Sequence, residues 1–496
     1  VVVASSVIEL ICFVLQSKEM PMDEDVRRKI ALDRKRRLSL PYKELEFRPA
    51  SERIRDFHEV VIPYDAESAM AEAARCLQCP EISSCMKGCP AQNNIPRAMG
   101  HIEKGEFIEA AQVFRETSSF PEICGRVCPQ EFLCEGNCNL KRQGKGIHIG
   151  ALEVFVADYQ RKHQVPEITR IDPTGKKVAI VGGGPSGMAC AQRLAALGHK
   201  VTIFDSKPVP GGLLLYGIPS FKLPNEVFFS KLMQLVNMGV EFINYTEIGK
   251  EKTIDELTHE GYDGIYIAVG AGVDARMNAP GEDLPGVYSG TEFLIRANVN
   301  VNYLPVGMTS RPHIGKRVVV IGGGDTASDC LRTALRLGAE EAICIYRRTE
   351  EEMPGGKKDR NLALQEGAQF QFLIQPIRFI EGNGKLAAIE CLRTQLGEPD
   401  SSGRRRPVPI EGSEFTIETD TAILALGYWP HPIIGETTPG LETQKYGLIV
   451  VDPETLSTSR PGVFAGGDAV NGPDLVVTAM VDGHKAASSI HDYLMR

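Results

Sequence analysis

The chain has 496 residues, with 43% hydrophobic and 24% charged, and a net charge of −9 from 55 basic and 64 acidic side chains. These proportions exclude disordered, collagen-like and coiled-coil classes, and the length predicts about three domains. The acidic balance argues against a nucleic-acid binder, which carries a basic face. Glycine makes up 49 residues, about one in ten against a usual ~7%, which implies several tight backbone turns.

Val1–Gln16 is mostly apolar but is interrupted by Glu9, and it is shorter than the ~20 residues of a membrane span. It has neither the positive n-region nor the small-residue cleavage site of a secretory signal. The chain does not begin with Met, and Met20 or Met22 would be a natural start. Residues 1–17 are therefore expected to add nothing to function, a short amphipathic docking helix being the alternative. The basic run Arg27–Arg37 reads as a solvated helix face.

Eight of the thirteen cysteines fall between Cys76 and Cys138. They sit among helix-like segments at Asp65–Leu77 and Ile95–Thr117. The spacings are Cys76-x2-Cys79-x5-Cys85-x3-Cys89-Pro90 and Cys124-x3-Cys128-Pro129-x4-Cys134-x3-Cys138. Two structural zinc sites would use the same residue type, and disulfides are out of keeping with a cytosolic nucleotide-binding architecture. Iron–sulfur chemistry explains more of the pattern: four thiolates per cluster, proline directly after a ligand, and two groups that can exchange a terminal cysteine. Two [4Fe–4S] clusters are expected.

A proline-containing linker, His163–Gly175, leads into a pattern that occurs twice: an apolar strand, a triple glycine, then a helix ending at glycine. The copies are Lys177–Gly198 and Arg317–Gly338. Each strand is a β-branched run suited to a parallel sheet covered on both faces. Gly182-x-Gly184-x-x-Gly187 has the dinucleotide spacing: glycines for the turn, for approach to a pyrophosphate and for helix–strand packing. Asp205 ends the next strand, where a carboxylate accepts from ribose hydroxyls. The second turn is Gly322-x-Gly324-x-x-Ala327, and its next strand ends in Arg347 and Arg348 rather than an acid. Guanidinium groups there select a 2′-phosphate, so this turn is expected to take NADP(H). Further short strands are expected at Asp263–Val269 and Asp420–Leu426. No CxxC pair stands near either turn, which removes a disulfide reductase, and Cys190, Cys330, Cys344 and Cys391 read as small buried hydrophobes.

Several ordered blocks carry a family resemblance: RCLQCP at 75–80, GCPAQNNIP at 88–96, ICGRVCPQEFLCEGNC at 123–138, GGLLLYGIPSFKLP at 211–224, GGGDTASDC at 322–330, YRRTEEEMPG at 346–355 and AGGDAVNGPDLVVTA at 465–479. From about Asp56 onward the chain resembles the small (β) subunit of NADPH-dependent glutamate synthase and its relatives. Those relatives include the large subunit of the electron-bifurcating transhydrogenase and the N-terminal half of dihydropyrimidine dehydrogenase.

The resemblance implies an α/β architecture with a helical two-[4Fe–4S] domain at 46–165, after an extension at 1–45. Two Rossmann-like, glutathione/adrenodoxin-reductase-like domains follow, with an NADP(H) domain (311–425) inserted in a split FAD domain (171–305 and 426–496). It implies crossed ligation: Cys76, Cys79, Cys85 and Cys138 on one cluster; Cys89, Cys128, Cys134 and Glu153 on the other, with Cys124 spare. The alternative grouping is sequential, 76/79/85/89 and 124/128/134/138. FAD contacts are implied at Gly182, Gly184, Gly187, Asp205, Gly212, Lys222, Gly467, Asp468 and Thr478. NADP contacts are implied at Gly322, Gly324, Asp325, Thr326, Ala327, Arg347 and Arg348. Lys222 is the one candidate for a catalytic side chain near the flavin, and Trp429 reads as packing.

The implied activity is electron input: hydride from NADPH to FAD, then single electrons through the clusters to a larger partner subunit in the cytoplasm. No nucleic acid or membrane span is expected. Lys222 in GIPSFKLP and the stretch 398–406 favour a glutamate synthase partner over a ferredoxin/NAD flavoprotein partner.

Overall fold

The computed structural model describes residues 24–163, 172–400 and 403–496. The apolar Val1–Gln16 stretch, most of the 163–175 linker and residues 401–402 of the 398–406 stretch lie outside the described residues.

The first domain is helical. Asp65 caps helix Ala66–Ala73 by accepting from the Ser68 N–H, and Asn94 likewise caps helix Ile95–Glu103 from the Arg97 N–H. The single helix expected over Ile95–Thr117 is two, Ile95–Glu103 and Phe107–Arg115. Gly105, at φ +78, takes the left-handed turn between them. Helices Pro121–Val127 and Ile149–His163 complete the packing.

The basic run does form a helix, Glu24–Ser39, but not a wholly solvated one. Arg37 is buried, and it pairs with Asp33 and Glu103 while donating to the Ala74 and Cys76 carbonyls. It thereby fastens this helix to the start of the cysteine-rich segment.

Two five-stranded parallel sheets follow. The first holds Lys177–Val181, Lys200–Phe204, Glu241–Ile243, Gly264–Ile267 and, from the far end of the chain, Val463–Ala465. The second holds Val287–Ser289, Arg317–Ile321, Glu341–Tyr346, Gln369–Phe372 and Thr421–Leu424. Sheet one is thus completed by a strand that arrives after all of sheet two, so one unit is inserted in the other. The chain crosses between them at an antiparallel ribbon, Val273–Asp274 with Tyr428–Trp429. Val287–Ser289 pairs with Thr421–Leu424 in sheet two, which puts the crossing earlier than the expected 305. A three-residue strand carries too little periodicity to show its sheet.

Sequence reading also missed an antiparallel sheet on the second unit, Ile374–Gly382, Lys385–Pro399, Arg405–Pro409 and Phe415–Glu418. Its Phe379, Leu386, Ile389 and Cys391 share a core with Val319, Ile321, Ile343 and Ile345 of sheet two. Trp429 stacks on Tyr446 with ring centroids 4.0 Å apart.

Candidate functional site

The cysteines line two cavities. Cys76, Cys79, Cys85 and Cys138 face one, with Ser83 and Asn139. Cys89, Cys124, Cys128 and Cys134 face the other, with Asn93 and Glu153. Cys138, last in sequence, therefore lies with the first three, and Cys89 with the later group. Local structure explains the exchange. Cys128 ends helix Pro121–Val127 in extended backbone, and Pro129 prevents the helix from continuing. The loop beyond it carries Cys138 round to the start of a short 3₁₀ turn, Asn139–Gln143. Glu153 enters the second cavity from helix Ile149–His163.

The donor set fits sulfur-bridged iron. All twelve described cysteines are unpaired. The thiols stand in two groups around two voids. Burial pushes the Cys76 thiol up to about 12 and Cys89 to about 11, so only a bound cation would make thiolates favourable there. Asn139 Nδ2 donates to Cys79 Sγ at 3.4 Å, and Ser83 Oγ lies 3.2 Å from Cys85 Sγ. The buried Glu153 carboxyl is raised far above the usual range by burial and by neighbouring Cys124. Asn93 Nδ2 donates to it at 3.5 Å, and Asn93 is itself oriented by Thr117 Oγ1 at 2.6 Å. Cys124 and Glu153 thus face the same void.

In the first glycine turn the three glycines differ in what surrounds them. A Cβ on Gly182 (φ +103) would lie 2.4 Å from the Ala268 carbonyl oxygen, and one on Gly187 would lie 2.0 Å from that of Gly182. Gly184 is different: its nearest neighbour would be 3.9 Å away. Two glycines are demanded by the fold, and the third leaves a clear backbone face at the start of helix Pro185–Ala196. Asp205, raised by burial, accepts from the Gly183 and Lys207 N–H groups, both at 2.8 Å.

Gly212 (φ +52) borders the same turn, its Cβ position 2.9 Å from Gly184 Cα. From the returning half of this unit, Gly467 (φ +66) would place a Cβ 3.1 Å from the Ser186 Cβ, and burial pushes Asp468 up to about 7. Thr478 closes the first turn of helix Val476–Leu494 on the Leu475 backbone. This helix lies against the first-turn helix, Gly483 being 2.3 Å from the Ser186 carbonyl at its Cβ position. Its Val477 reaches the second cysteine cavity.

The second turn repeats the design. A Cβ on Gly322 (φ +149) would meet the Ala425 carbonyl oxygen at 2.1 Å, Gly324 has nothing within 4 Å, and Ala327 is buried. Asp325 Oδ1 accepts from the Gly356 N–H at 2.8 Å, and Thr326 Oγ1 lies 2.9 Å from Tyr428 OH. Arg347 is exposed at the strand end. Arg348 is buried and engaged, donating to the Arg405 carbonyl and to Asp400, each at 2.7 Å.

Lys222 Nζ lies 3.1 Å from Asp329 and 2.9 Å from Asp359. Burial alone would lower this ammonium, but the two carboxylates overturn that and raise it. It therefore bridges the loop after Gly212 to the helix that starts at Gly324. Sequence reading singled out Lys222 without its acidic partners, since they stand more than a hundred positions away.

Comparison with known proteins agrees with this division. Residues 53–165 match the dihydropyrimidine dehydrogenase domain II, 4Fe–4S cluster family, and residues 176–483 match the pyridine nucleotide-disulphide oxidoreductases. The class is therefore an NADPH-dependent flavoprotein oxidoreductase carrying 4Fe–4S clusters. The chain is 41% identical to the glutamate synthase [NADPH] small chain of Escherichia coli (strain K12) over 88% of this chain and 94% of that one. It is 36% identical to the NADPH-Fe(3+) oxidoreductase subunit beta of Geobacter sulfurreducens, over 83% of this chain and 63% of that one. FprA of Mycobacterium tuberculosis in complex with NADPH shares the fold, with a TM-score of 0.54 and 21% identity over 64% of this chain and 85% of that one. The chain belongs to the glutamate synthase NADPH small-chain family. No helix among the described residues is long and apolar enough to cross a membrane.

Proposed function

We propose that the chain is the electron-input subunit of a cytoplasmic glutamate synthase, delivering reducing equivalents to a larger catalytic subunit. When bound, NADPH supplies a hydride to FAD, and the clusters then carry its two electrons singly. The clear backbone faces at Gly184 and Gly324 receive the two diphosphates. Asp205 and Asp468 accept from the hydroxyls of the flavin nucleotide. Arg347 pairs with the NADP 2′-phosphate, while Arg348 holds the Asp400–Arg405 ribbon behind it. Lys222, kept cationic by Asp329 and Asp359, ties the flavin-side loop to the helix after the Gly324 turn. Cys89, Cys128, Cys134 and Glu153 hold one cluster and Cys76, Cys79, Cys85 and Cys138 the other. No side chain is needed as a general base.

The observation that carries this reading is the reach of one helix from the returning half of the first unit into a cysteine cavity. Helix Val476–Leu494 meets the second cysteine cavity at Val477, whereas the first cavity is lined by its own domain alone. The flavin site thus adjoins the cluster at Glu153, and the other cluster lies on the way out. The choice of partner is supported by the match to nearly the full length of the small chain in E. coli.

A second reading, electron input to a different complex, is supported by the 38% identity to an NADP(+)-dependent formate dehydrogenase subunit beta of Moorella thermoacetica, of which the chain spans 60%. Purifying the native complex decides. A partner that confers glutamine-dependent NADPH oxidation is expected; activity that requires ferredoxin and NAD instead would overturn the glutamate synthase assignment.

A further inference from the structure

Three domains meet at one buried side-chain cluster beside Lys222, whose partner Asp359 also pairs with Arg332 at 3.4 Å. Phe221, fully buried on the flavin-side loop, lies against two guanidinium groups, Arg332 at 4.5 Å and Arg336 at 4.1 Å from its ring centroid. Both arginines project from helix Asp325–Arg336, which begins at the Gly324 turn. Both converge on one carboxylate: Arg332 donates to Glu366 at 3.0 and 3.1 Å, and Arg336 at 2.6 and 3.2 Å. From the iron–sulfur domain, Arg53 donates to Gln365 Oε1 at 2.9 Å and pairs with Glu366 at 3.4 Å. The Phe221 carbonyl accepts from the Val60 N–H at 3.1 Å, and Ser220 Oγ donates to the Phe57 carbonyl at 3.1 Å.

Three guanidinium groups sharing one carboxylate in the interior is a costly arrangement as a stabiliser, because desolvation of each charge offsets its attraction. What it supplies is geometry, since planar forks on a common carboxylate fix direction as well as distance. Here the directions fixed are those of the helix whose first turn faces one dinucleotide and of the loop that borders the other.

We propose that Phe221, clasped by Arg332 and Arg336 and tied through Glu366 to Arg53, is a positioning joint that presets the distance between nicotinamide and flavin. The inference rests on the assignment of Gly322–Ala327 to NADP(H) and of Gly182–Gly187 to FAD. In the step it serves, the nicotinamide C4–H bond breaks and a flavin N5–H bond forms. Both electrons move with the hydride, leaving NADP⁺ and reduced flavin. The joint would act through the loop and the helix it fixes rather than by holding a nucleotide itself, so it governs the rate of this transfer and not the affinity for NADPH. A misplacement of about 1 Å at a distance from the chemistry costs on the order of 100-fold.

The test uses the full chain with its cofactors, as wild type and as Arg53→Met, Arg53→Lys and Phe221→Leu. Flavin bleaching is followed anaerobically after mixing with saturating NADPH, nucleotide affinity by titration with NADP⁺, and amide exchange along Val60 and helix Asp325–Arg336. For Arg53→Met and Phe221→Leu, bleaching should slow about 10- to 100-fold with NADP⁺ affinity within about threefold of wild type. Exchange should rise at both segments, bleaching by dithionite should be unchanged, and Arg53→Lys should recover part of the rate. Folded, cofactor-replete variants that bleach at the wild-type rate would overturn the joint. Slowing matched by an equal loss of NADP⁺ affinity would overturn it too. If one substitution prevents folding, the other carries the same comparison. A wild type that NADPH fails to bleach would instead refute the underlying assignment.

Discussion

Glu153 and Cys124 face one void, and the proposed ligation takes Glu153 as the fourth ligand and leaves Cys124 spare. Replacing Glu153 with Ala should alter the EPR signal of the second cluster, while Cys124→Ser leaves it unchanged; the opposite pair of results would reassign the ligand. Arg347 and Arg348 divide in a similar way. Charge-assisted hydrogen bonds contribute about 1.5–3 kcal/mol, so Arg347→Ala should lower kcat/KM for NADPH roughly 10- to 100-fold with little change for NADH.

Lys231 makes a pH-dependent prediction. It is buried between helices Asn225–Asn237 and Pro121–Val127, donates to Gln192 and Gln234, and lies 5.1 Å over the Phe120 ring. Burial pushes it down to about 7, with Glu122 opposing and Arg115 reinforcing the shift. Above that pH the unfolded chain binds a proton the folded chain has released, so stability rises with pH until the ordinary lysine range is reached. Thermal unfolding should therefore show the gap between wild type and Lys231→Met widest at and below about pH 7, narrowing as pH climbs towards 10.

At the scale of elements, the two strand–turn–helix units separate glycines that serve the fold from glycines that serve a ligand. Gly187→Ala would drive a Cβ to 2.0 Å from a carbonyl oxygen and should abolish flavin retention together with folding of that unit. Gly324→Ala meets nothing in the protein, so the chain should fold and keep its flavin yet lose NADP(H), checked by nucleotide titration and flavin content. These turns were legible in sequence because diphosphate chemistry demands one residue type at fixed spacing. The cysteines were legible for the same reason. Helix breaks and short strands were not: Gly105 divides a segment whose apolar period runs through it, and Val287–Ser289 pairs with a strand more than a hundred residues later. The antiparallel sheet at 374–418 was missed because no residue type marks it.

For the whole molecule, the contacts that unite the domains leave no local pattern at all. Arg53 meets Gln365 across 312 positions, and Arg37, which the run of charge presented as solvated, is the buried link to Cys76. Glu366→Gln would leave three interior guanidinium groups without their shared carboxylate, and losses of this kind cost about 3–5 kcal/mol, measurable by chemical unfolding. The insertion of one nucleotide unit in the other sets Lys222 against Asp329 and Asp359, and helix Val476–Leu494 against the second thiol-lined cavity, contacts on which the proposed electron path depends. Anaerobic addition of NADPH to the purified chain tests that path most directly. Brown protein with about eight irons per chain, whose flavin bleaches with NADPH and whose clusters then develop EPR signals, is the predicted result; colourless protein holding zinc, or flavin that NADPH leaves oxidised, would contradict it.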